Sequence, residues 1–575
     1  MKYFYQINKI LTKKQKRAAI FLTLLMLVSM AFEVLTLNSL FVLLSYMTNS
    51  STLEDSHLIA YLKNINLNYD INLLIAALFV FIFTLKTLIN IFISWKQNRF
   101  TFFIRAELSH LFFSGYLCLP SIFHLRTNTS DLIKNITIEV EHFSHALNAL
   151  LIIAMEIVIL LGLSAFLLFI DLKITILSIV SLIFFSLVIN FFNAKKILSM
   201  GKKRVKIVQL RLKSIIEGFS GSKVFELTGS QKNLIGNFSI YNNDIAKIAS
   251  NVSFRMDLLK PLFELFVLLL IGIIFIFNFE NQSGLKNIVP LLGVFLTAAY
   301  RLVPSFGRIL SNIQKFQYNV QAAEKLSKDI EKFDSQNREI NKNSEKFDFK
   351  ESVRFENAGF SYVDDLEKDS NFVLKDIDLN IKKGSKIGII GHSGSGKSTF
   401  LDLIMGLIFS QKGKILIDGK KIESVKSSWQ KNIGCVPQDV FILDDTLKRN
   451  IAFGLPNELI DEKKVNKAID LANLTEFKNS LQSGLETFLG ESGSRLSGGQ
   501  RQRIGIARAL YNSPNVLIFD EATNALDVET EKKIINEIFS LKEGNTIIFV
   551  SHNKDNLIFC DLIYEVRDRN LFSVN

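Results

Sequence analysis

The sequence predicts two parts of different fold class: an all-α membrane part with six transmembrane helices, followed by a soluble α/β part. The first supporting observation is composition, because hydrophobic residues make up 48% of the 575 residues and the mean hydropathy is +0.25. The second is that the apolar excess lies before residue 327, in stretches long enough to cross a bilayer. The third is that short β-branched or aromatic runs alternate with helical stretches after residue 350.

The apolar stretches before residue 327 each reach the ~20 residues that a spanning helix needs. They lie at about 18–47, 72–95, 147–171, 172–195, 258–279 and 285–310. An even number of spans places both ends of the membrane part on one side. A secretory signal peptide is not expected, because the first stretch far exceeds ~15 residues and no small-x-small cleavage site closes it.

The distribution of basic residues predicts on which side of the membrane both ends of the membrane part lie. A basic cluster precedes the first span, whereas the loop 48–71 has Lys63 as its only Lys or Arg. The cluster comprises Lys9, Lys13, Lys14, Lys16 and Arg17. Lys and Arg concentrate on the cytoplasmic side of membrane spans. We therefore expect a multi-pass protein of the cytoplasmic membrane, with its N-terminus and its α/β part in the cytoplasm.

Two inward segments, at about 96–146 and 196–257, are long, charged and helical in pattern, whereas the outward links after the third and fifth spans are short. They are predicted to continue the membrane helices into the cytoplasm. Each contains a break suited to a short crosswise helix, at Leu119–His124 in the first and Gly218–Phe225 in the second. Such helices could dock on the α/β part or could simply cap the long helices, and the sequence leaves both readings open.

Charge and cysteine content exclude several classes of protein. The formal net charge is +12, which basic residues beside the membrane spans account for, so nucleic acid is not an expected partner. The cysteines Cys118, Cys435 and Cys560 lie far apart and form no CxxC pair. This spacing fits neither a disulfide framework nor a zinc site, and it predicts inert thiols in a reducing compartment.

The chain is predicted to divide into three segments. Residues 1–326 form the membrane domain with its cytoplasmic extensions. Residues 327–350 are rich in Lys, Glu, Asp, Asn and Ser and lack apolar periodicity, so they are predicted to be a linker. Residues 351–575 form the α/β domain, whose alternating strands and helices indicate a mostly parallel sheet.

A glycine-rich loop in the α/β domain has the composition of a phosphate-binding loop. It follows the apolar run Ile387–Ile390 and precedes the helix-like Phe400–Ile404. Its glycines allow backbone N–H groups to close around phosphate oxygens, while Lys397 can reach the β- and γ-phosphates and the Ser398 hydroxyl can bind Mg²⁺. The loop residues are Gly391, His392, Ser393, Gly394, Ser395, Gly396, Lys397, Ser398 and Thr399. The domain is therefore predicted to be a P-loop ATPase that binds ATP and Mg²⁺.

An acidic pair supplies a second part of this chemistry. The strand-like run Val516–Phe519 ends in Asp520 and Glu521. At that position Asp520 can hold Mg²⁺ and Glu521 can polarise the attacking water. We therefore predict Glu521 as a catalytic residue and Asp520 as a metal ligand.

A second anion-binding turn precedes the acidic pair by about twenty residues. Its amides open a helix and so can face an anion. The turn consists of Ser497, Gly498, Gly499 and Gln500, after Leu496. One P-loop hardly needs a second phosphate site in its own chain. We therefore expect this turn to serve the nucleotide of a partner subunit, most simply a second copy of the chain in a homodimer.

With these motifs in place, the chain resembles the exporter type of ATP-binding-cassette (ABC) transporter over nearly its whole length. The resemblance implies that Tyr362 stacks on adenine, although a buried strand aromatic is the ordinary alternative. It further implies that Gln438 contacts Mg²⁺ and water, and that His552 senses the γ-phosphate. Glu491 matches the acidic member of the exporter segment that touches the membrane domain, and Asn524 stands where the family usually has Ser.

The membrane half has a narrower resemblance, to flippases of lipid-linked oligosaccharides. It is carried by Ala31–Thr36, by the outward segment Asp55–Ile65, which suits an amphipathic helix, and by Tyr300–Ser305. In that subgroup, basic residues contact the pyrophosphate of the lipid carrier, and the outward helix contacts the polyprenyl tail of the same lipid. The matching basic positions here are Lys86, Lys260, Arg301 and Arg308.

The charged residues within the predicted membrane spans can be interpreted in two ways. A Lys or Arg within a span costs about 2.5–3.5 kcal/mol on insertion scales, so such residues face a cavity or a partner. The glutamates Glu33, Glu156 and Glu264 could neutralise the basic residues in salt bridges. If all of them pair in this way, the argument for an anionic substrate fails.

Two other functions stay open at this point. An exporter of a peptide, a drug or another lipid would have the same ATP site and would differ only in the membrane cavity. A membrane-tethered ATPase that moves nothing is disfavoured by six spans joined to a complete ATP site. Genes for glycosyltransferases beside the gene for this chain would favour the glycolipid reading.

Overall fold

The computed structural model describes residues 2–47, 71–170, 172–279, 285–342, 347–363, 371–541, 544–551 and 553–574. These residues form two compact units. The first unit contains Met1–Leu119 and Arg126–Asp334, and the second contains Pro120–Leu125 and Ser335–Asn575.

The first unit is helical, as the sequence predicts, and each predicted span lies within a helix or exceeds it by one residue. The helices that contain these spans are α2 (Lys13–Met47), α3 (Ile71–Leu117), α6 (Val140–Ile170), α7 (Leu172–Ser220), α10 (Leu259–Phe279) and α11 (Leu285–Asn319). The shorter or polar helices of the membrane part are α1 (Lys2–Ile10), α4 (Ser121–Arg126), α5 (Thr129–Lys134), α8 (Ser222–Thr228), α9 (Gln231–Asp257) and α12 (Gln321–Lys342). Within the described residues, four stretches are long and apolar enough to cross a membrane, at Lys13–Ser39, Ala76–Leu117, Thr129–Phe169 and Thr175–Ser220.

Small apolar clusters hold these helices together. Leu22 and Met26 of α2 pack with Ile93 of α3, and Phe263 of α10 packs with Phe306 of α11. Gly162 lies where α2 and α6 cross, because a Cβ there would come within 2.4 Å of Met30. Many large apolar side chains on the outer faces stay exposed, as expected of helices that face lipid.

Both predicted breaks in the inward segments contain short helices, α4 and α8. Ile122 of α4 packs beside a core cluster of the second unit, to which Pro120–Leu125 belong. The predicted outward amphipathic segment Asp55–Ile65 lies outside the described residues, and so does Lys63.

The predicted linker differs from the observed structure in its first half. Residues 327–342 continue α12, and the division between the two units falls between Asp334 and Ser335. Phe333 is buried against Phe112 and Tyr116, and the Tyr116 hydroxyl donates to Asp329 Oδ2 at 2.8 Å. The polar composition conceals this helix because few of its residues are apolar, and those few lie on one face.

The second unit contains two sheets. The strands are β1 (Ser352–Phe360), β2 (Leu374–Lys382), β3 (Lys386–Gly391), β4 (Lys412–Ile417), β5 (Lys420–Lys421), β6 (Ile433–Val436), β7 (Val516–Asp520), β8 (Thr546–Val550), β9 (Leu562–Arg567) and β10 (Asn570–Val574). The larger sheet has the order β10-β9-β3-β8-β7-β6, and only its edge pair β9–β10 is antiparallel. The smaller sheet, β2-β1-β4-β5, is antiparallel throughout, which the prediction of a mostly parallel sheet did not anticipate.

Helices pack around these sheets. They are α13 (Lys397–Ile404), α14 (Ile422–Gln430), α15 (Leu447–Ile451), α16 (Glu462–Leu471), α17 (Thr475–Ser480), α18 (Gly498–Tyr511) and α19 (Val528–Phe539). Strands β3, β7 and β8 are parallel neighbours in the larger sheet, so their carboxyl ends meet at one edge. Ligands of open α/β sheets bind at such an edge.

Candidate functional site: a phosphate-binding loop and its acidic neighbours

The glycine-rich loop lies between β3 and α13, as the sequence predicts. Gly394 and Gly396 have φ values of +77° and +109°, which side chains with a Cβ rarely adopt. Gly396 is the residue that precedes the first turn of α13, and a Cβ there would lie 3.0 Å from Leu374. The loop therefore needs glycine both for its turn and for its close packing.

The loop has the donors that a phosphate group requires. Lys397 is buried, and its amine donates to the carbonyls of Gly391 at 2.8 Å and His392 at 3.1 Å. The buried hydroxyl of Ser395 has no hydrogen-bond partner among the described residues. An ammonium held across the loop and an unsatisfied hydroxyl inside it fit a triphosphate that supplies the missing acceptors.

The acidic end of β7 lies against this loop. Ser398 Oγ donates to Asp520 Oδ2 at 3.1 Å, and Lys397 Nζ lies 3.6 Å from Glu521 Oε1. Gln438 Nε2 donates to Glu521 Oε2 at 3.2 Å, so Gln438 also reaches the site. A hydroxyl and a carboxylate oxygen in contact are the ligand types that Mg²⁺ prefers, with phosphate oxygens completing its shell. Among the described residues, no cluster of three His, Cys, Asp or Glu side chains could hold a metal alone.

Comparison with known proteins agrees with this geometry. Residues 374–524 match the family model described as ABC transporter. The chain is 29% identical over 511 residues to the ATP-dependent lipid A-core flippase of Idiomarina loihiensis, a match that covers 85% of this chain and 84% of the relative. The solved structure of a bacterial Atm1-family ABC exporter with ATP bound shares this fold, with a TM-score of 0.78, 22% identity, and coverage of 97% of this chain and 94% of the other.

The chain has the fold and the domain organisation of an ABC exporter. Its membrane domain and its ATP-binding domain are fused in one polypeptide, and it couples ATP hydrolysis to transport. A different kind of relative matches over a smaller region. The Toxin RTX-I translocation ATP-binding protein of Actinobacillus pleuropneumoniae is 41% identical over 206 residues, which cover 36% of this chain and 28% of the relative.

The second anion-binding turn of the exporter opens α18. Ser497 Oγ accepts from the backbone N–H of Gln500 at 3.2 Å, and Gln500 Oε1 accepts from the backbone N–H of Ser497 at 2.9 Å. Beside this reciprocal pair, the backbone N–H groups of Gly498 and Gly499 have no acceptor among the described residues. Within the described part of the second unit, no hydrogen bond joins the turn to the glycine-rich loop.

The structure places two of the remaining predicted residues, Tyr362 and Glu491, and does not describe the third, His552. Tyr362 lies just after β1, half-buried, with its ring against Phe360 and its hydroxyl 3.2 Å from Thr399 Oγ1. It therefore reaches the end of the glycine-rich loop, and its contact with adenine stays a prediction. Glu491 is exposed at the start of a short 3₁₀ turn, Glu491–Gly493. His552 lies outside the described residues.

Two features of this site were not predicted from the sequence. The first is the backbone of Glu521, whose φ of +51° is unusual for a residue other than Gly or Asn. Such strain is found at functional sites.

The second is Asp402, which lies one helical turn after Ser398 on α13. Burial and the neighbouring Asp520 carboxylate raise the pKa of Asp402 to about 6. Burial also raises the pKa of Asp520, although the hydrogen bond from Ser398 opposes that change. The four-residue spacing between Ser398 and Asp402 was the signal that could have revealed this second carboxyl.

Two of the cysteines, Cys435 and Cys560, are partly buried, as expected of inert thiols, whereas Cys118 is exposed. All three are free thiols. Burial raises the pKa of both Cys435 and Cys560 to about 12, so neither is a thiolate at neutral pH.

The intramembrane basic residues are paired with glutamates wherever the structure describes their side chains. Lys86 Nζ lies 3.1 Å from Glu33 Oε1, and Lys260 Nζ lies 3.9 Å from Glu264 Oε1. Arg308 binds Glu156 through both its Nε and its Nη2. The side chain of Arg301 lies outside the described residues. These three cations are therefore paired within the protein, and their presence no longer implies an anionic substrate.

Proposed function

We propose that this exporter uses ATP to move a glycolipid across the cytoplasmic membrane and, more narrowly, a lipid-linked oligosaccharide. The observation that carries the proposal is the extent of the likeness to the lipid A-core flippase, which runs through most of both chains and so includes the membrane helices. The likeness to the toxin translocator covers only 36% of this chain. Export of a peptide, a drug or another lipid is the alternative.

The residues of the ATP site have the following proposed roles. Lys397 holds the β- and γ-phosphates, and Ser398 with Asp520 holds Mg²⁺, which when bound neutralises phosphate charge. Glu521 accepts the proton of the attacking water. The observed hydrogen bond from Gln438 to Glu521 orients that carboxylate. The resemblance assigns His552 the role of γ-phosphate sensor.

The membrane orientation is part of the same proposal. We place the N-terminus and the ATP-binding domain in the cytoplasm. The basic residues at the start of α2, among them Lys13 and Arg17, support this side.

We further propose that two copies of the chain close head to tail around two ATP molecules. The unpaired N–H groups at the start of α18 support this arrangement, since they are the donors that a partner's phosphate needs. Ser497, Gly498, Gly499 and Gln500 would then complete the site on the other copy.

This assembly predicts a specific crosslink. One tagged chain carries Ser395→Cys and a differently tagged chain carries Ser497→Cys, both in a Glu521→Gln background with the native cysteines replaced by Ser. We expect the two tags to become covalently joined when ATP is present, because Ser395 and Ser497 would face each other across the interface. Tag-specific immunoblots after oxidation measure this.

The matched control replaces the second position with Ser540→Cys, on the exposed end of α19. It should give no joined product under the same conditions. Equal crosslinking of the control, or none with ATP in the Ser395–Ser497 pair, would contradict the composite site.

The substrate proposal is tested at the pair Arg308–Glu156. The Arg308 side chain is 41% exposed while Glu156 is 6% exposed, so the arginine has room for a further contact. If Arg308 touches an anionic substrate, Arg308→Gln and the double variant Arg308→Gln/Glu156→Gln lose flipping, whereas Glu156→Gln keeps it. If Arg308 only neutralises Glu156, the double variant recovers what Arg308→Gln loses, since removing one partner leaves an uncompensated buried charge.

The measurement is ATP-dependent translocation of a labelled lipid-linked oligosaccharide in proteoliposomes, with steady-state ATP hydrolysis recorded on the same preparations. A second double variant combines Arg301→Gln with Arg308→Gln, and for it we expect lost flipping with basal hydrolysis largely intact. Movement of peptides but of no lipid by the unmodified exporter would replace the glycolipid proposal with the alternative.

A further inference from the structure

A groove with a mostly apolar wall and three basic lining residues lies between the first turns of α2 and the middle of α3. Its volume is about 350 Å³, and it is open to the surroundings. Lys14 lines it from α2, and Lys96 and Arg99 line it from α3. None of these residues takes part in the ATP site or in the charge pairs of the membrane helices.

The groove lies where the apolar surface of both helices ends. Helix α2 becomes apolar just after Arg17, and α3 stays apolar up to Ser94. The two helices are in register at this level, because Leu22 of α2 and Ile93 of α3 share one apolar cluster. Trp95 begins the polar stretch of α3, and Trp is typical of the boundary between hydrocarbon and headgroups. The groove therefore lies at the headgroup layer of the bilayer.

Two of the three cations that line the groove, Lys96 and Arg99, lie over aromatic rings. Lys96 and Arg99 both lie over the Trp95 ring, with centroid distances of 5.1 and 5.5 Å, and Arg99 also lies 5.3 Å from the Phe103 ring. Across the described residues, no ion pair includes Lys14, Lys96 or Arg99. The carboxylate that lines the groove, Glu107, accepts a hydrogen bond from Gln15 Nε2 at 2.6 Å.

The surfaces that continue from the groove are apolar. Phe92 and Leu88 of α3, and Phe21 and Leu24 of α2, are exposed on the side of the membrane core. A molecule in the groove with an anionic head would thus have apolar helix faces along which its chains can lie. Basic pockets between membrane helices at this level bind anionic lipid headgroups.

We propose that the groove between α2 and α3 binds the phosphate headgroup of an anionic phospholipid, which acts as a resident lipid and not as the transported molecule. Lys14, Lys96 and Arg99 surround the phosphate, and Trp95 with Phe103 keeps the two α3 cations directed at it. This site is independent of the proposed substrate, since it requires only that α2 and α3 span the membrane.

The test uses full-length exporter in phosphatidylcholine nanodiscs that contain a small amount of photoactivatable phosphatidylglycerol. Labelling is mapped by mass spectrometry to peptides of α2 and α3. We expect unlabelled phosphatidylglycerol, but not phosphatidylcholine, to compete. We also expect Lys14→Gln/Lys96→Gln/Arg99→Gln to lower the labelling at least about tenfold, because each basic side chain near an anionic lipid contributes roughly fivefold.

Matched variants separate a lost site from a damaged fold. Lys463→Gln/Lys464→Gln/Lys467→Gln removes the same charge from the exposed face of α16 and should leave the labelling unchanged. Lys14→Arg/Lys96→Arg should retain it. Lys14→Glu changes an exposed residue in the first turn of α2, so it tests the site even if the triple variant does not fold, and it should also reduce the labelling.

Three results would overturn the proposal. Equal labelling of the triple variant and the unmodified exporter would show that these cations do not select the lipid. Equal competition by phosphatidylcholine would show a site without charge preference. Loss of labelling on addition of inorganic phosphate at millimolar concentration would show a site for free phosphate.

Discussion

Glu521→Gln is expected to lower steady-state ATP hydrolysis by about 10²–10⁴-fold, the range that a positioned general base contributes, while ATP binding is retained. The carboxylate lies 3.6 Å from Lys397 and accepts hydrogen bonds from Gln438 at 3.2 Å and Asn524 at 3.3 Å. The glutamine variant keeps an oxygen that can accept from these amides, so the site keeps its shape. It loses the basic oxygen that would take a proton from water. ATP turnover and equilibrium binding of a fluorescent ATP analogue measure the two properties.

The control for this variant is Glu529→Gln. Glu529 makes an exposed ion pair with Lys533 one helical turn away on α19 and should affect neither property. Near-normal turnover in Glu521→Gln would remove Glu521 as the catalytic carboxylate, and the search for a base would move to other groups at the carboxyl edge of the sheet.

Lys397→Ala is expected to weaken ATP binding by about 10–150-fold, because a hydrogen bond to a charged group contributes roughly 1.5–3 kcal/mol. The amine of Lys397 is the cation of the glycine-rich loop, and in this structure it donates to the carbonyls of Gly391 and His392. Triphosphate oxygens would take over from these carbonyls as acceptors. Isothermal titration with ATP and Mg²⁺ measures the change in affinity.

A lysine on the strand that precedes the loop provides the control. Lys386 begins β3 at the opposite edge of the sheet, and its amine donates to the carbonyl of Phe539 at 3.0 Å. Lys386→Ala therefore removes a comparable lysine-to-carbonyl contact far from the loop along β3. Equal loss of ATP affinity in both variants would assign the Lys397 effect to stability and not to phosphate binding.

Much of the ATP site was predictable because its parts are local in sequence. The strand, the loop and the start of α13 follow one another without a break, so the spacing of Gly391, Gly396 and Lys397 is itself the structural signal. The acidic pair was predictable for the same reason, because Asp520 and Glu521 directly follow an apolar run in the sequence. Their contact with Ser398 and Lys397 follows from parallel strands that share one edge.

Other features depend on contacts between residues far apart in the chain. The segment predicted as a linker contains Phe333, whose burial depends on Phe112 and Tyr116 more than two hundred positions earlier. The antiparallel second sheet pairs β1 with β2 and β4, a choice that strand patterns alone do not specify. The left-handed backbone of Glu521 is likewise imposed by its surroundings.

By itself, the sequence determined the division into apolar helices and an α/β domain, and the chemistry of a phosphate-binding loop, because hydrophobic period and motif spacing are local properties. Only the tertiary structure decided where the charges act. It paired Lys86 with Glu33 and Arg308 with Glu156, whereas Lys14, Lys96 and Arg99 line a groove and form no ion pair among the described residues. Whether a cation is neutralised or available depends on distances of a few ångströms between helices, since charge interactions fall with separation and rise with burial.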